Sequence, residues 1–269
     1  ATVKGFAIDS RTIEAGDLFV ALKGQRDGHD FLAAAAEAGA TAARVSRPQD
    51  ILPAIEVRDT EVAMTDLARH FRSQFKQPVV ALTGSQGKTS TRGFIASVLS
   101  QTAAHENREV LVTRGNFNNQ FGVPHSAARL RPDHSFAIFE LGASAVGDIA
   151  HIAGIVRPHV SGLLNARAAH LEGFGSKDGV IEGKGEIIDH TDPNGIVVLN
   201  VDEPAFPIWK RRAGDRVVRT FGRNAGDVQW HPKTDQAFEL QIDGMRYPIR
   251  LPTLGQHFME NAAAATAMC

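Results

Sequence analysis

The sequence predicts an α/β protein in two parts. A small N-terminal α/β unit is followed by a larger domain with a mainly parallel sheet and an antiparallel edge. Three observations lead there. Between residues 79 and 200, short apolar β-branched runs alternate with segments of helical period, the pattern of βαβ units. Beyond 217, short alternating runs separated by turns take over, with Asp243-Gly244 placed as a hairpin turn. Before 78 the elements are shorter, and Pro78 interrupts the pattern. The expected division is 1–77 and 78–269, and 269 residues allow two domains of ordinary size.

In the first part, Val3 to Ile8, Leu18 to Leu22, Ala42 to Val45 and Ile55 to Val57 read as strands. Phe31 to Ala38 reads as a helix stopped by Gly39, and Thr60 as the N-cap of a helix from Val62 to Phe75. The polar turns Asp9-Ser10-Arg11 and Lys23-Gly24-Gln25-Arg26 suit either a phosphate-bearing ligand or plain solvation, and spacing leaves both open.

In the second part, strands are expected at Val79–Leu82, Val110–Val112, Phe136–Glu140, Val160–Leu164 and Ile196–Asn200. Helices fall between them at 89–100, 124–130, 148–155 and 177–189. Val217–Phe221, Val228–Trp230, Ala237–Ile242 and Arg246–Ile249 make the antiparallel edge. The alanine-rich stretch from Glu260 to Cys269 reads as a helix that stops without a capping signal, and no Met starts the chain. A piece of a longer protein is expected.

The formal net charge is −1, so no bulk attraction to nucleic acid is expected. No apolar run approaches the length of a bilayer span, so no membrane insertion is expected. The single cysteine, Cys269, precludes a disulfide framework within this sequence and suits a reducing compartment.

The chemistry gathers at one stretch. The run Val79-Val80-Ala81-Leu82 leads into Thr83-Gly84-Ser85-Gln86-Gly87-Lys88-Thr89-Ser90, and an apolar-periodic segment follows. Strand, glycine-rich loop and helix in this order form a phosphate cradle of inward amides at a helix's positive end. In such a P-loop, Lys88 reaches the outer phosphates and the Thr89 hydroxyl ligates Mg²⁺. Leu82 stands where the general spelling has its first glycine, so the motif holds only in the variant Thr-Gly-x-x-Gly-Lys-Thr.

Other polar residues fall at the carboxyl ends of the predicted strands, where open α/β sheets bind ligands. Asn116 to Asn119 follows the second strand and Glu140 ends the third. Asn165 to His170 follows the fourth, and Asn200 with Asp202 the fifth. Glu140 stands where a nucleotide enzyme holds Mg²⁺, or simply closes a strand. His170 reads alone as structural, since Mg²⁺ prefers oxygen ligands. The Asn118-Asn119 loop fits neutral recognition of a sugar or peptide, or a turn rich in Asn. By spacing, Lys184 is a solvated helix lysine.

Four segments together resemble the Mur ligases. They are Ala81 to Ser90, Gly115-Asn116-Phe117-Asn118-Asn119-Gln120-Phe121-Gly122-Val123-Pro124, Glu140-Leu141-Gly142-Ala143, and Ala169-His170-Leu171-Glu172-Gly173-Phe174-Gly175-Ser176. The turn at Asp9-Ser10-Arg11 and the run Gly16 to Gly24 are similar to that family's first domain. The last segment is closest to the branch that adds D-alanyl-D-alanine to UDP-MurNAc-tripeptide. The resemblance implies an ATP-dependent, ADP-forming ligase of peptidoglycan precursor synthesis in the bacterial cytoplasm, acting as a monomer through an acyl phosphate.

It further implies ATP contacts from Thr83 through Ser90 and from His257 and Asn261, with catalytic roles for Lys88, His170 and Lys184. Mg²⁺ would be held by Thr89, Glu140 and His170, and Lys184 would be carbamylated. UDP-MurNAc-tripeptide would contact Ser10, Arg11, Asn118 and Asn119. The family's His-Asn-x-x-Asn motif is His257-Phe258-Met259-Glu260-Asn261 here, which departs at Phe258. The family's C-terminal Rossmann-like domain, which holds the D-Ala-D-Ala site, is absent from the sequence, so this stretch is expected to be inactive alone. The alternatives are another Mur-type or folylpolyglutamate-type amide ligase, or a non-catalytic nucleotide-binding module.

Overall fold

A computed structural model describes residues 2–24, 26–167 and 171–269. The chain forms two compact units: residues 1–75 with 124–131, and residues 76–123 with 132–269. The division falls two residues before the expected one. No local signal in the sequence marks the grouping of 124–131 with the first unit.

The first unit carries a four-stranded parallel sheet of β1 (Gly5–Ala7), β2 (Asp17–Val20), β3 (Ala42–Val45) and β4 (Ala54–Glu56), in that spatial order. Short helical turns at Ser10–Thr12 and Gly28–Phe31, then helix α1 (Leu32–Glu37), fill the connections. Phe19, Ala21, Leu32, Ala35, Ala43 and Val45 form the core beneath. Helix α2 (Thr60–Gln74) follows. Its cap is Asp59, not the expected Thr60. Asp59 Oδ1 accepts the amides of Glu61 (2.8 Å) and Val62 (3.0 Å). Thr60 is already helical, and its buried hydroxyl donates to the Ala21 carbonyl at 2.9 Å. A carboxylate one residue earlier reaches two free amides, whereas Thr60 satisfies a neighbouring strand end.

The second unit is built on nine strands. In chain order they are β5 (Val79–Thr83), β6 (Glu109–Val112), β7 (His134–Glu140), β8 (Val160–Leu163), β9 (Ile196–Asn200), β10 (Val217–Gly222), β11 (Val228–Pro232), β12 (Ala237–Ile242) and β13 (Met245–Arg250). Across the sheet they run 13-12-11-10-9-8-5-7-6. Its helices are α3 (Lys88–His105), α5 (Asp148–Val156), α6 (Leu171–Phe174), α7 (Lys177–Asp189), α8 (Phe206–Ala213) and α9 (Gln256–Met268), whereas α4 (Gly122–Ala127) falls mostly in the stretch grouped with the first unit.

The expected antiparallel edge is narrower than its sequence. β10 pairs parallel with β9 over five residues, and β11 meets β10 in parallel at Phe221 and Val228. Only β11–β12 and β12–β13 are antiparallel. For β9 and β10 the cause is α8, a crossover helix that the expected elements lacked. Its proline lies in the first turn, where the missing N–H has no intrahelical partner to lose.

Every residue of β5 is buried, and it lies between β7 and β8. The connections of those neighbours diverge there, which opens a crevice beyond the carboxyl ends. Helix α9 packs its buried Met259, Ala262 to Ala265, Ala267 and Met268 into the core with Leu82, Ile95, Leu99, Val198 and Phe221. It starts at Gln256, four residues before the alanine-rich stretch expected to be helical. Small side chains let it lie close to the sheet. A methyl group on Gly162 would collide with Met268.

Candidate nucleotide and metal site

The loop between β5 and α3 is the structural centre. Gly87 takes φ +81°, a left-handed conformation, and a side chain there would also collide with Asn261 Oδ1. Helix α3 starts at Lys88, and the first amide bonded back is Thr91, to the Gly87 carbonyl at 2.9 Å. The amides of Lys88, Thr89 and Ser90 precede that bond and open toward the loop. Two other amides expected to face phosphate are occupied. Ser85 N donates to Asn165 O at 3.1 Å, and Gln86 N to Asn165 Oδ1 at 2.9 Å. Asn165 thus shapes the loop from the end of β8. Ser85 Oγ also donates to the Arg167 carbonyl at 2.9 Å. Thr83 anchors the strand end, fully buried, with its hydroxyl donated to Leu141 O at 2.9 Å.

Around this loop lies a charge cluster. Glu140, 2% exposed, ends β7 as predicted. Its Oε2 accepts from Thr89 Oγ1 at 3.1 Å and pairs with Arg92 Nη1 at 3.1 Å. Its Oε1 accepts from Asn118 Nδ2 at 2.8 Å. A methyl group on Gly142 would strike the Asn118 amide at 2.8 Å, so a glycine there keeps Asn118 against Glu140. Asn119 has a separate task. Its Oδ1 accepts the amides of Phe121 and Gly122 and starts α4.

Lys88 Nζ donates to the Gly84 carbonyl at 2.8 Å. Burial lowers its pKa, and the charge of Glu140 opposes that. Lys184 is 2% exposed rather than solvated as its spacing implies. Burial, then the charge of Lys88, pushes its pKa down to about 8. Its Nζ lies 5.6 Å from the centre of the Phe174 ring. The flanking glycines explain this inward position. A methyl on Gly183 would press on Phe174, and one on Gly185 on Trp209 and Arg212. Glu186 locks the same helix to α5 by accepting the amides of Gly147 (2.6 Å) and Ala150 (2.9 Å). Lys88, Lys184 and Arg92 outnumber the carboxylate of Glu140, so the cluster favours a polyanion.

The donor set suits Mg²⁺. A hydroxyl and a carboxylate oxygen meet at 3.1 Å, both hard oxygens. This ion takes few protein ligands and keeps its waters. Among the described residues no group of three or more His, Cys, Asp or Glu could hold a metal. His170, the third expected ligand, lies outside the described residues.

Beside the loop opens a cavity of about 310 Å³. Gln86, Gly87, Asn165 and Arg167 line one part, and Trp230, Gln256, His257, Glu260 and Asn261 the rest. His257 and Asn261, expected at the ATP site, are both there. Phe258 turns instead toward the core. In the first unit, Arg11 is 86% exposed and forks onto Asp9, with Nη2–Oδ2 at 2.6 Å, and Ser10 sits in the same helical turn. Asp9 is held below the usual carboxylate range by that hydrogen bond.

Sequence reading passed over Arg92, Trp230 and Glu260. Arg92 had a usable signal. It lies three residues after Thr89 on the same helix, hence on the same face. Glu260 had one in its place within the His257–Asn261 stretch, one residue before Asn261, whereas Trp230 had none, because strand pairing brings it to the loop.

The match to known proteins covers both units. Residues 82–269 match the model described as the Mur ligase middle domain, and residues 2–72 the model described as the Mur ligase family, catalytic domain. The UDP-N-acetylmuramoyl-tripeptide–D-alanyl-D-alanine ligase of Escherichia coli K12 is 41% identical over 99% of this chain and 60% of its own length. A crystal structure of MurF from Acinetobacter baumannii superposes with a TM-score of 0.88 at 37% identity, over 98% of this chain and 59% of that one. MurF ligase from Thermotoga maritima, in complex with ADP, gives 0.80 at 32% identity, over 98% and 62%. The chain thus spans about three fifths of the length of these relatives. With its larger unit matched almost throughout by the family's middle-domain model and its smaller one by the companion model, the chain belongs to the Mur ligase family.

Proposed function

We propose that this chain is the nucleotide-binding part of an ATP-dependent ligase that joins D-alanyl-D-alanine to UDP-MurNAc-tripeptide, in bacterial peptidoglycan precursor synthesis. The observation that carries the reading is the buried Glu140 carboxylate held against Thr89 at the mouth of the β5–α3 loop, with Lys88 beside it. A purely structural turn has no use for that set. Similarity to UDP-N-acetylmuramoyl-tripeptide–D-alanyl-D-alanine ligases along nearly the whole chain supports the substrate assignment. A cytoplasmic setting follows from the substrates, since ATP is available there.

In the reaction, the γ-phosphoryl group passes from ATP to the tripeptide's terminal carboxylate, giving ADP and an acyl phosphate. The amine of D-alanyl-D-alanine attacks the acyl carbon, loses a proton, and phosphate leaves. Such transfers need alignment and charge neutralisation more than covalent help. Lys88 exchanges its bond to Gly84 O for phosphate oxygens, and the amides of Lys88, Thr89 and Ser90 hold the rest. Thr89 and Glu140 would hold Mg²⁺, which when bound offsets the charge of the phosphates. Arg92, paired with Glu140 at 3.1 Å, would add a further positive charge near the phosphates.

Lys184 is poised for carbamylation. A pKa near 8 leaves roughly a tenth of the amine neutral at pH 7. The neutral amine adds to CO₂, forming an N–C bond and releasing a proton, and a cation becomes an anion beside the metal site. Ser10, Arg11, Asn118 and Asn119 are assigned to UDP-MurNAc-tripeptide. His170 is assigned as a further metal ligand. The 269-residue chain binds nucleotide as a monomer and does not complete a turnover alone.

The test is calorimetric titration of the chain with ATP, with and without Mg²⁺, followed by phosphate release with both substrates. Mg²⁺-dependent ATP binding that Lys88→Ala abolishes is expected. Loss of ATP binding in the unaltered chain, or turnover independent of UDP-MurNAc-tripeptide, would refute the reading.

A further inference from the structure

Helix α7 buries two ionisable side chains, Lys184 and Glu186, the latter 6% exposed. Two residues apart on an α-helix, they stand about 200° from each other around its axis and meet different neighbours. A buried carboxylate this near a buried amine would ordinarily pair with it. Glu186 does not. Its Oε1 accepts the amide of Gly147 at 2.6 Å and its Oε2 the amide of Ala150 at 2.9 Å, so both oxygens are committed to the start of α5. The N-cap of α5, Gly147, has no side chain to offer and lies in a left-handed conformation at φ +95°. Asp148 turns back to the amides of Ser144 and Ala145. The charge of Glu186 therefore rests against the positive end of α5. Of the described charged groups, Arg212 on α8 feels Glu186, and Lys88 bears on Lys184. The opposite flank of α7 is gripped by α8, where Trp209 Nε1 donates to the Ile181 carbonyl at 3.0 Å and Arg212 pairs with Glu182 and Asp189. The segment leading into α5 begins at Glu140, so Glu186 also ties the helix of Lys184 to the strand end that carries the metal carboxylate.

Resting on the reading of Lys184 above, we propose that Glu186 is the positioning residue for Lys184. By binding the first amides of α5, it fixes the rotation of α7 that holds the Lys184 amine dry and unpaired on the side of Lys88. If the anchor is lost, α7 is free to turn and water reaches the amine, which keeps its proton more firmly there. The neutral amine is the form that adds to CO₂, so the anchor governs how much of it exists at a given pH.

The experiment is urea unfolding of the unaltered chain, Glu186→Ala, Glu186→Gln and Lys184→Met across the window from about 8 to 10.5, in which the unaltered chain gains stability. A cap lost for structural reasons alone lowers the curve equally at every pH. Loss of positioning also flattens it, because Lys184 then releases its proton closer to the unfolded value. In Glu186→Ala the start of the rise should move up by about one pH unit or more, a roughly tenfold smaller neutral fraction near neutral pH. Glu186→Gln keeps one acceptor oxygen and should fall between, and it carries the test should Glu186→Ala not fold. With ¹³C-labelled bicarbonate at about pH 8, a carbamate resonance is expected in the unaltered chain, weaker in Glu186→Gln and lost in Lys184→Met. Curves for the Glu186 variants that are lowered but parallel to the unaltered one would overturn the inference while the buried amine stands. A flat curve in the unaltered chain would overturn the buried amine and the inference together. Absence of the carbamate from the unaltered chain, with the rise present there and flattened in the Glu186 variants, would overturn the carbamylation reading and support the positioning role.

Discussion

Replacing Lys184 with Met tests whether a charged amine is held out of water in the second unit. The two side chains are similar in length, and the site is 2% exposed. An unfolded lysine keeps its proton up to about 10.5, whereas Lys184 in the fold releases it near 8. Between those values the unfolded chain binds about one more proton, so stability rises with pH across that window. Below pH 8 the fold carries the full cost of a buried ammonium. The interval from 10.5 to about 8 is worth about 3 kcal/mol. Lys184→Met should therefore stabilise the second unit at pH 7 by an amount of that order and remove the rise between pH 8 and 10.5. Urea unfolding of both proteins at several pH values reads this directly, since other groups cancel in the difference. Bicarbonate at pH 8 should stabilise the unaltered chain and leave Lys184→Met unmoved. Parallel stability curves for the two proteins would show that the amine is solvated, and the buried-amine reasoning would fail.

Three further outcomes follow from the geometry. Thr89→Val removes the hydroxyl that donates to Glu140 and should change stability by only about 1 kcal/mol, while the Mg²⁺-dependent part of ATP affinity is lost in calorimetry. Gly87→Ala combines a positive φ with a collision at Asn261; a stability loss of about 1 kcal/mol or more should accompany a clear drop in nucleotide affinity, and unchanged binding would contradict the cradle. Asp59→Ala removes two amide bonds at the start of α2 and should cost the first unit about 1 kcal/mol in denaturant unfolding, whereas Thr60→Ala should leave the cap intact.

The contrast between Lys88 and Lys184 marks the reach of the sequence. Lys88 was legible because strand, loop and helix are contiguous, and the amides and dipole of a helix start are local properties. Glu140 was legible because an apolar strand ending in a carboxylate places that group at a known edge of a parallel sheet. Lys184 looked solvated, since the glycines beside it gain meaning only from what packs against them. Only Phe174, Trp209 and the two flanking glycines reveal its place. Asp59 and Thr60 show the same limit at a finer scale. Both residue types cap helices, and the choice went to the one with no competing partner on a distant strand.

By itself, then, the sequence determined the α/β alternation, the glycine-rich strand-to-helix turn and the row of polar residues along one sheet edge. These depend on periodicity within a few residues and on which residues tolerate a turn. The tertiary structure alone decided that β10 and β11 join in parallel, that Arg92 and Asn118 share Glu140, and that Asn261 closes against Gly87. Those contacts join residues distant in the chain or hang on one side chain's aim. Burial, pairing and close approach are properties of the packed whole, and no local pattern encodes them.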